Sequence, residues 1–85
     1  MIVSWTETPH NLTCSLRFTD FQAAFSFMTQ VAFKAEELQH HPRWTNVWNQ
    51  VDIELSTHDA GFVVTEKDHQ LAKAISSIAL SFQKA

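Results

Sequence analysis

The chain predicts an α+β domain of order β-β-α-β-β-α, a four-stranded antiparallel sheet with both helices on one face. Three observations carry that reading. "LTCSLRF" (12–18) alternates apolar and polar residues, and "VWNQVDIELSTH" (47–58) does so again. Two long segments with apolar residues at three- and four-residue spacing follow these strands. A sheet with one apolar and one polar face is usually antiparallel, with helices on a single side.

Taken in order, "IVSW" (2–5) is β-prone and "TETPHN" (6–11) supplies turn chemistry. In the next strand Leu12, Cys14, Leu16 and Phe18 share one face, opposite Thr13, Ser15 and Arg17. Asp20 offers a side-chain oxygen to the free N–H groups of a helix start, with Thr19 as a rival cap. From Phe21 to about His40 no Gly or Pro intervenes. Phe21, Ala24, Phe25, Met28, Val31, Ala32, Ala35 and Leu38 form the expected core stripe, and Phe33 points away from it. Pro42 stops the helix and biases His41 toward extended backbone. In the third strand Val47, Val51, Ile53 and Leu55 face the core; Trp48, Gln50, Asp52, Glu54 and Ser56 face away. "DAG" (59–61) turns the chain and "FVV" (62–64) is a short β-branched strand. Thr65 and Asp68 fit a capping box, and Leu71, Ala72, Ile75, Ile78, Ala79 and Phe82 form the last helical stripe.

The totals limit what this domain does. Eighty-five residues, 1–85, hold one core and not two. Three tryptophans and seven phenylalanines are more aromatic surface than so thin a core hides, which predicts self-association. Six basic against nine acidic residues leave a net charge of −3 and no basic stripe, which disfavours direct binding to a nucleic acid. The lone Cys14 rules out an internal disulfide and suits a reducing compartment. "MIVSWTETPHN" has neither the basic region nor the apolar run of a signal peptide, and no window resembles a membrane span. The expectation is a cytoplasmic protein.

The chemistry lies in "EELQHHPRW" (36–44) and in the end of the long strand. His10 and His69 are explained by surface positions in a turn and a first helical turn. His40, His41 and His58 fall at element junctions, where a rigid scaffold presents side chains to a ligand. Three readings stand for this trio. They are solvated loop residues, or metal ligands, or proton-transfer groups. Metal is disfavoured, because adjacent histidines seldom reach one ion and no H-x-x-x-H or C-x-x-C pair assists. Imidazole suits proton transfer because it takes or gives a proton near neutrality. If the helix end and the strand end are neighbours, all three rings line one pocket.

The run "AEELQHHPRWTNVWNQVDIELSTHDAG…TEKDHQLA" (35–72) closely resembles the pterin-4a-carbinolamine dehydratase family. Its pattern is an acid four residues before His-His-Pro, then an aromatic, a strand ending Ser-Thr-His, a small turn and an Asp opening the last helix. Glu36, His40, His41, Pro42, Trp44, Ser56, Thr57, His58, Gly61 and Asp68 fill those places. "LRFTDFQAAFSFMTQVA" (16–32) is similar to the family's strand-to-helix segment. Two departures are visible. The helix that precedes the first strand in many longer members is absent, and the interval from His58 to Asp68 is one residue longer than usual.

The resemblance implies dehydration of a 4a-hydroxytetrahydropterin to the quinonoid dihydropterin, in tetrahydropterin recycling. It implies no metal and no organic cofactor, the pterin being the substrate, and a homodimer or homotetramer. His40 and His58 are then the acid–base pair, and the sequence leaves open which is which. His41, with Gln39, Ser56, Thr57 and Asp59, holds the pterin ring. Glu36, one helical turn before His40, is placed to orient it. Asp68 caps the last helix or braces a loop, and Trp44 walls the pocket or packs. The rival reading is a non-catalytic interaction module on the same fold, a transcriptional coactivator or assembly-factor-like dimerisation partner.

Overall fold

A computed structural model describes residues 3–82. Its elements are β1 (Thr6–Glu7), β2 (Leu12–Arg17), α1 (Phe21–Leu38), β3 (Arg43–Val47), β4 (Gln50–Leu55), a 3-10 turn (His58–Ala60) and α2 (Glu66–Leu80). The β-β-α-β-β-α order is as expected, and the four strands form one antiparallel sheet in the order β1-β2-β4-β3. Leu12, Cys14 and Leu16 of β2 and Val51, Ile53 and Leu55 of β4 are buried on one face, under the apolar stripes of both helices. The opposite face carries Ser15, Arg17, Gln50 and Asp52, linked by side-chain hydrogen bonds across β2 and β4.

The helix starts follow from the sequence. Asp20 Oδ1 accepts the Ala23 N–H at 2.8 Å, and Asp68 Oδ2 accepts the Thr65 N–H at 2.9 Å. The α1 stripe differs from the expected one. Ala24, Phe27, Val31 and Ala35 are buried, with Met28 and Leu38 packed beside them. Phe27 has no exposure, whereas Phe25 is 55% exposed and Phe21 is also exposed. At about 100° per residue the stripe is therefore rotated by roughly 40° from the one that includes Phe21 and Phe25. The ring of Phe27 fills the gap between sheet and helices, 4.8 Å from Phe18 and 6.1 Å from Phe82. Phe33 points outward as expected, 75% exposed.

Three strand assignments need correction. The segment at 2–5 is not the first strand: Ile2 lies outside the described residues, Val3 to Trp5 have no regular structure, and pairing begins at Thr6. The tight turn at Thr8 to Asn11, closed by Thr8 N–H on the Asn11 carbonyl at 2.9 Å, sets that register. The run at 47–58 is not one strand. It breaks at Trp48, whose φ of +51° starts a hairpin turn, so 43–47 forms β3 and Val47 is exposed. Asn49 fixes this turn, because its side-chain amide donates to the Phe18 carbonyl at 2.9 Å and its own carbonyl accepts the Phe18 N–H at 2.8 Å. Residues 62–64 are not a strand either. Gly61 and Phe62 both have left-handed backbone, and only Val63 pairs, in a single bridge to Thr57.

Candidate functional site

The site is assembled where α1 ends, β4 ends and α2 begins. Gln39 caps α1 in the left-handed region, and the His40 N–H returns to the Ala35 carbonyl at 3.1 Å. That geometry turns the two histidines off the helix end in different directions. Gln39, His40, His41, Ser56, Thr57, His58, Asp59 and Lys67 line one cleft of about 260 Å³. Every residue expected to touch substrate is among them. A larger hollow of about 510 Å³ crosses the outer sheet face, but it contains none of the histidines and its size alone does not make it the chemical centre.

His40 is the inner imidazole. Its Nε2 lies 2.6 Å from Asp68 Oδ1, and Asp68 is fully buried at the start of α2. The other carboxylate oxygen accepts the Thr57 hydroxyl at 2.6 Å as well as the Thr65 N–H. Burial pushes the Asp68 carboxyl up, but hydrogen bonds from His40, Thr57 and the Thr65 backbone outweigh it and hold its pKa below the usual 3.8. An ionised Asp68 only accepts, so the proton of a neutral His40 sits on Nε2 and its Nδ1 keeps a lone pair.

Glu36 is not the orienter of His40. Its Oε1 meets His41 Nε2 at 2.9 Å, and that hydrogen bond is the main cause of its lowered pKa. The backbone reversal at Gln39 places His41 back over the last helical turn, so simple helical spacing to His40 does not apply. His58, at the start of the 3-10 turn, also lines the cleft, its side chain 78% exposed, with Asp59 Oδ1 at 3.7 Å from Nδ1. Trp44 does not line the cleft; it is half-buried against the core on the inner face of β3. Between His58 and Asp68 the chain returns far enough for Asp68 to meet His40. That path runs through the 3-10 turn and the left-handed Gly61 and Phe62.

Three residues of this region escaped sequence reasoning. Lys67 lines the cleft; it precedes Asp68 in the first turn of α2, which is the one signal that could have found it. Phe62 packs its ring on His58, and the Nδ1–H of His10 donates to the Phe62 carbonyl at 3.4 Å. Neither contact has a sequence pattern. Among the described residues no group of three or more His, Cys, Asp or Glu is gathered as a metal site would require. Among the same residues no helix is long and apolar enough to cross a membrane.

A four-stranded antiparallel sheet with two helices packed on one face is the fold this chain shares with a pterin dehydratase structure. The family model described as pterin 4 alpha carbinolamine dehydratase matches residues 2–78, and the chain belongs to that family. A relative from Burkholderia vietnamiensis, provisionally named a pterin-4-alpha-carbinolamine dehydratase, is 53% identical over 87% of this chain and 74% of its own. One from Christiangramia forsetii, named likewise, is 51% identical over 91% of this chain and 78% of its own. A crystal structure described as a transcriptional coactivator/pterin dehydratase from Brucella melitensis superposes with a TM-score of 0.83 at 43% identity, covering 88% of this chain and 81% of that one. A pterin dehydratase-like protein described as a RuBisCO assembly factor in the alpha-carboxysome shares the fold, with a TM-score of 0.72 at 20% identity over 91% and 88% of the two chains.

Proposed function

We propose that the cleft dehydrates a 4a-hydroxytetrahydropterin to the quinonoid dihydropterin, serving tetrahydropterin recycling. The observation that carries this reading is the convergence of His40, His41 and His58 on one hollow, with a buried carboxylate behind His40. In the reaction the C4a–O bond breaks, the N5 proton leaves and a C4a=N5 double bond forms. Hydroxide is a poor leaving group, so one group must protonate it while another takes the N5 proton, each contributing about 10²–10⁴-fold.

His40 fits the base. Its Nδ1 lone pair accepts the N5 proton, and Asp68 stabilises the imidazolium that results, as a carboxylate behind a histidine does elsewhere. His58, on the 3-10 turn that also lines the cleft, fits the acid that delivers a proton to the departing hydroxyl, so that water is released. His41, steadied by Glu36, and the polar turn from Ser56 to Asp59 hold the pterin ring. Neither step calls on a metal or an organic cofactor. The test is an absorbance assay of carbinolamine dehydration by the purified protein: acceleration well above buffer is expected, and a rate equal to buffer with the fold intact rejects the enzyme.

A second reading, an interaction module on the same fold, draws on the exposed Phe21, Phe25 and Phe33 of α1 and on Trp48 at the hairpin tip. These surfaces also support a homo-oligomer. The two readings are compatible, because the aromatic faces lie outside the cleft.

A further inference from the structure

The three imidazoles are not held alike. His40 and His41 each have a carboxylate on Nε2. The His58 ring, among the described residues, meets Asp59 only at 3.7 Å and otherwise meets the ring of Phe62. Those two rings lie edge to face, with centroids 4.6 Å apart and planes at 86°. An exposed imidazole without such a neighbour rotates freely about its side-chain bonds, and proton transfer depends on placing the ring within a fraction of an ångström of its target.

Phe62 reaches His58 from a backbone position that disfavours it. Its φ is +60°, in the left-handed region where a side chain crowds the following carbonyl and glycine is the easy occupant. Surrounding bonds hold it there: the Phe62 N–H donates to the Thr57 carbonyl at 3.1 Å, and the Thr57 N–H to the Val63 carbonyl at 2.9 Å. From the other side the Val64 N–H donates to the Pro9 carbonyl at 3.1 Å, and His10 donates to the Phe62 carbonyl. What a phenylalanine adds at this position over glycine is the ring, and the ring touches His58 while standing outside the cleft lining.

We propose that Phe62 is a positioning residue that sets the orientation of the His58 imidazole for proton transfer, with the loop at Pro9 and His10 as its support. The proposal rests on the dehydratase reading and deepens it.

Phe62→Gly and Phe62→Tyr test it together. Glycine relieves the left-handed backbone, so a thermal midpoint no lower than that of the parent is expected, and the variant remains folded. Two readouts follow. In the first, which needs no substrate, the imidazole C–H resonances of His58 move in Phe62→Gly once the neighbouring ring current is gone, and stay near the parent values in Phe62→Tyr. In the second, kcat falls about three- to tenfold in Phe62→Gly with KM within about twofold, and Phe62→Tyr restores it. Unmoved His58 resonances, or an unchanged kcat in Phe62→Gly, overturn the proposal. A parent protein that fails to dehydrate the carbinolamine at all overturns the kinetic role together with the reaction, and is told apart because the resonances still report the ring contact.

Discussion

Nε2 of His40 sits 2.6 Å from Oδ1 of Asp68, a carboxylate with no solvent exposure that also accepts the Thr57 hydroxyl and the Thr65 N–H. One side chain thus closes the start of α2, ties the end of β4 to it and fixes the tautomer of the inner histidine. Asp68→Asn keeps the shape and removes the charge. We expect kcat to fall by about 10²-fold or more, with a stability loss of about 1–3 kcal/mol from the disturbed buried hydrogen bonds. Steady-state kinetics and chemical denaturation of the same preparation check both; undiminished kcat removes Asp68 from the proposed base.

The same carboxylate makes stability depend on pH in a defined direction. Its pKa is lowered on folding, so its contribution is present above the ordinary value of 3.8 and is lost as pH falls through the lower folded value. Acid unfolding of the parent should therefore steepen below about pH 4. Asp68→Asn should lose that part of the slope, which denaturation midpoints across the acid range measure.

His58 contributes little to packing, since its side chain is mostly exposed. His58→Ala should lower kcat by at least about 10²-fold while leaving the thermal midpoint nearly unchanged. A large fall in that midpoint would make the residue structural instead.

The rotated stripe of α1 gives a comparison within one helix. Phe27→Ala opens a cavity beneath the sheet and should cost about 3–5 kcal/mol, whereas Phe25→Ala on the exposed face should cost well under about 1 kcal/mol. Equal losses in urea unfolding would mean that both rings are buried, and an interface between copies would then be the place to look.

Phe33, outward on α1, tests self-association. Phe33→Glu should shift the sedimentation of the protein toward smaller species at fixed concentration if that face joins subunits. Unchanged sedimentation excludes that face.

Much of this molecule is written in local pattern. The alternation of 12–18 and 51–55, the two caps at Asp20 and Asp68 and the stripe of α2 need only neighbouring residues to be recognised, because each reports which side of an element meets the core. The histidines at 40, 41 and 58 were legible as junction residues, and the family resemblance supplied the chemistry proposed for them. The split of 47–58 was not legible, because it rests on Asn49 reaching Phe18, far away in sequence. The choice of Phe27 over Phe25 for the core depends on the gap left between Phe18 and Phe82.

The pairing of the histidines with carboxylates was decided by tertiary structure alone. Glu36 is near both His40 and His41 in the chain, and only the left-handed turn at Gln39 gives it to His41 and leaves His40 to Asp68. Residue order thus determined which groups are present and, outside α1, which faces are apolar. Their partners were settled by the direction in which each side chain leaves its element, a property of backbone angles and of packing between segments distant in sequence.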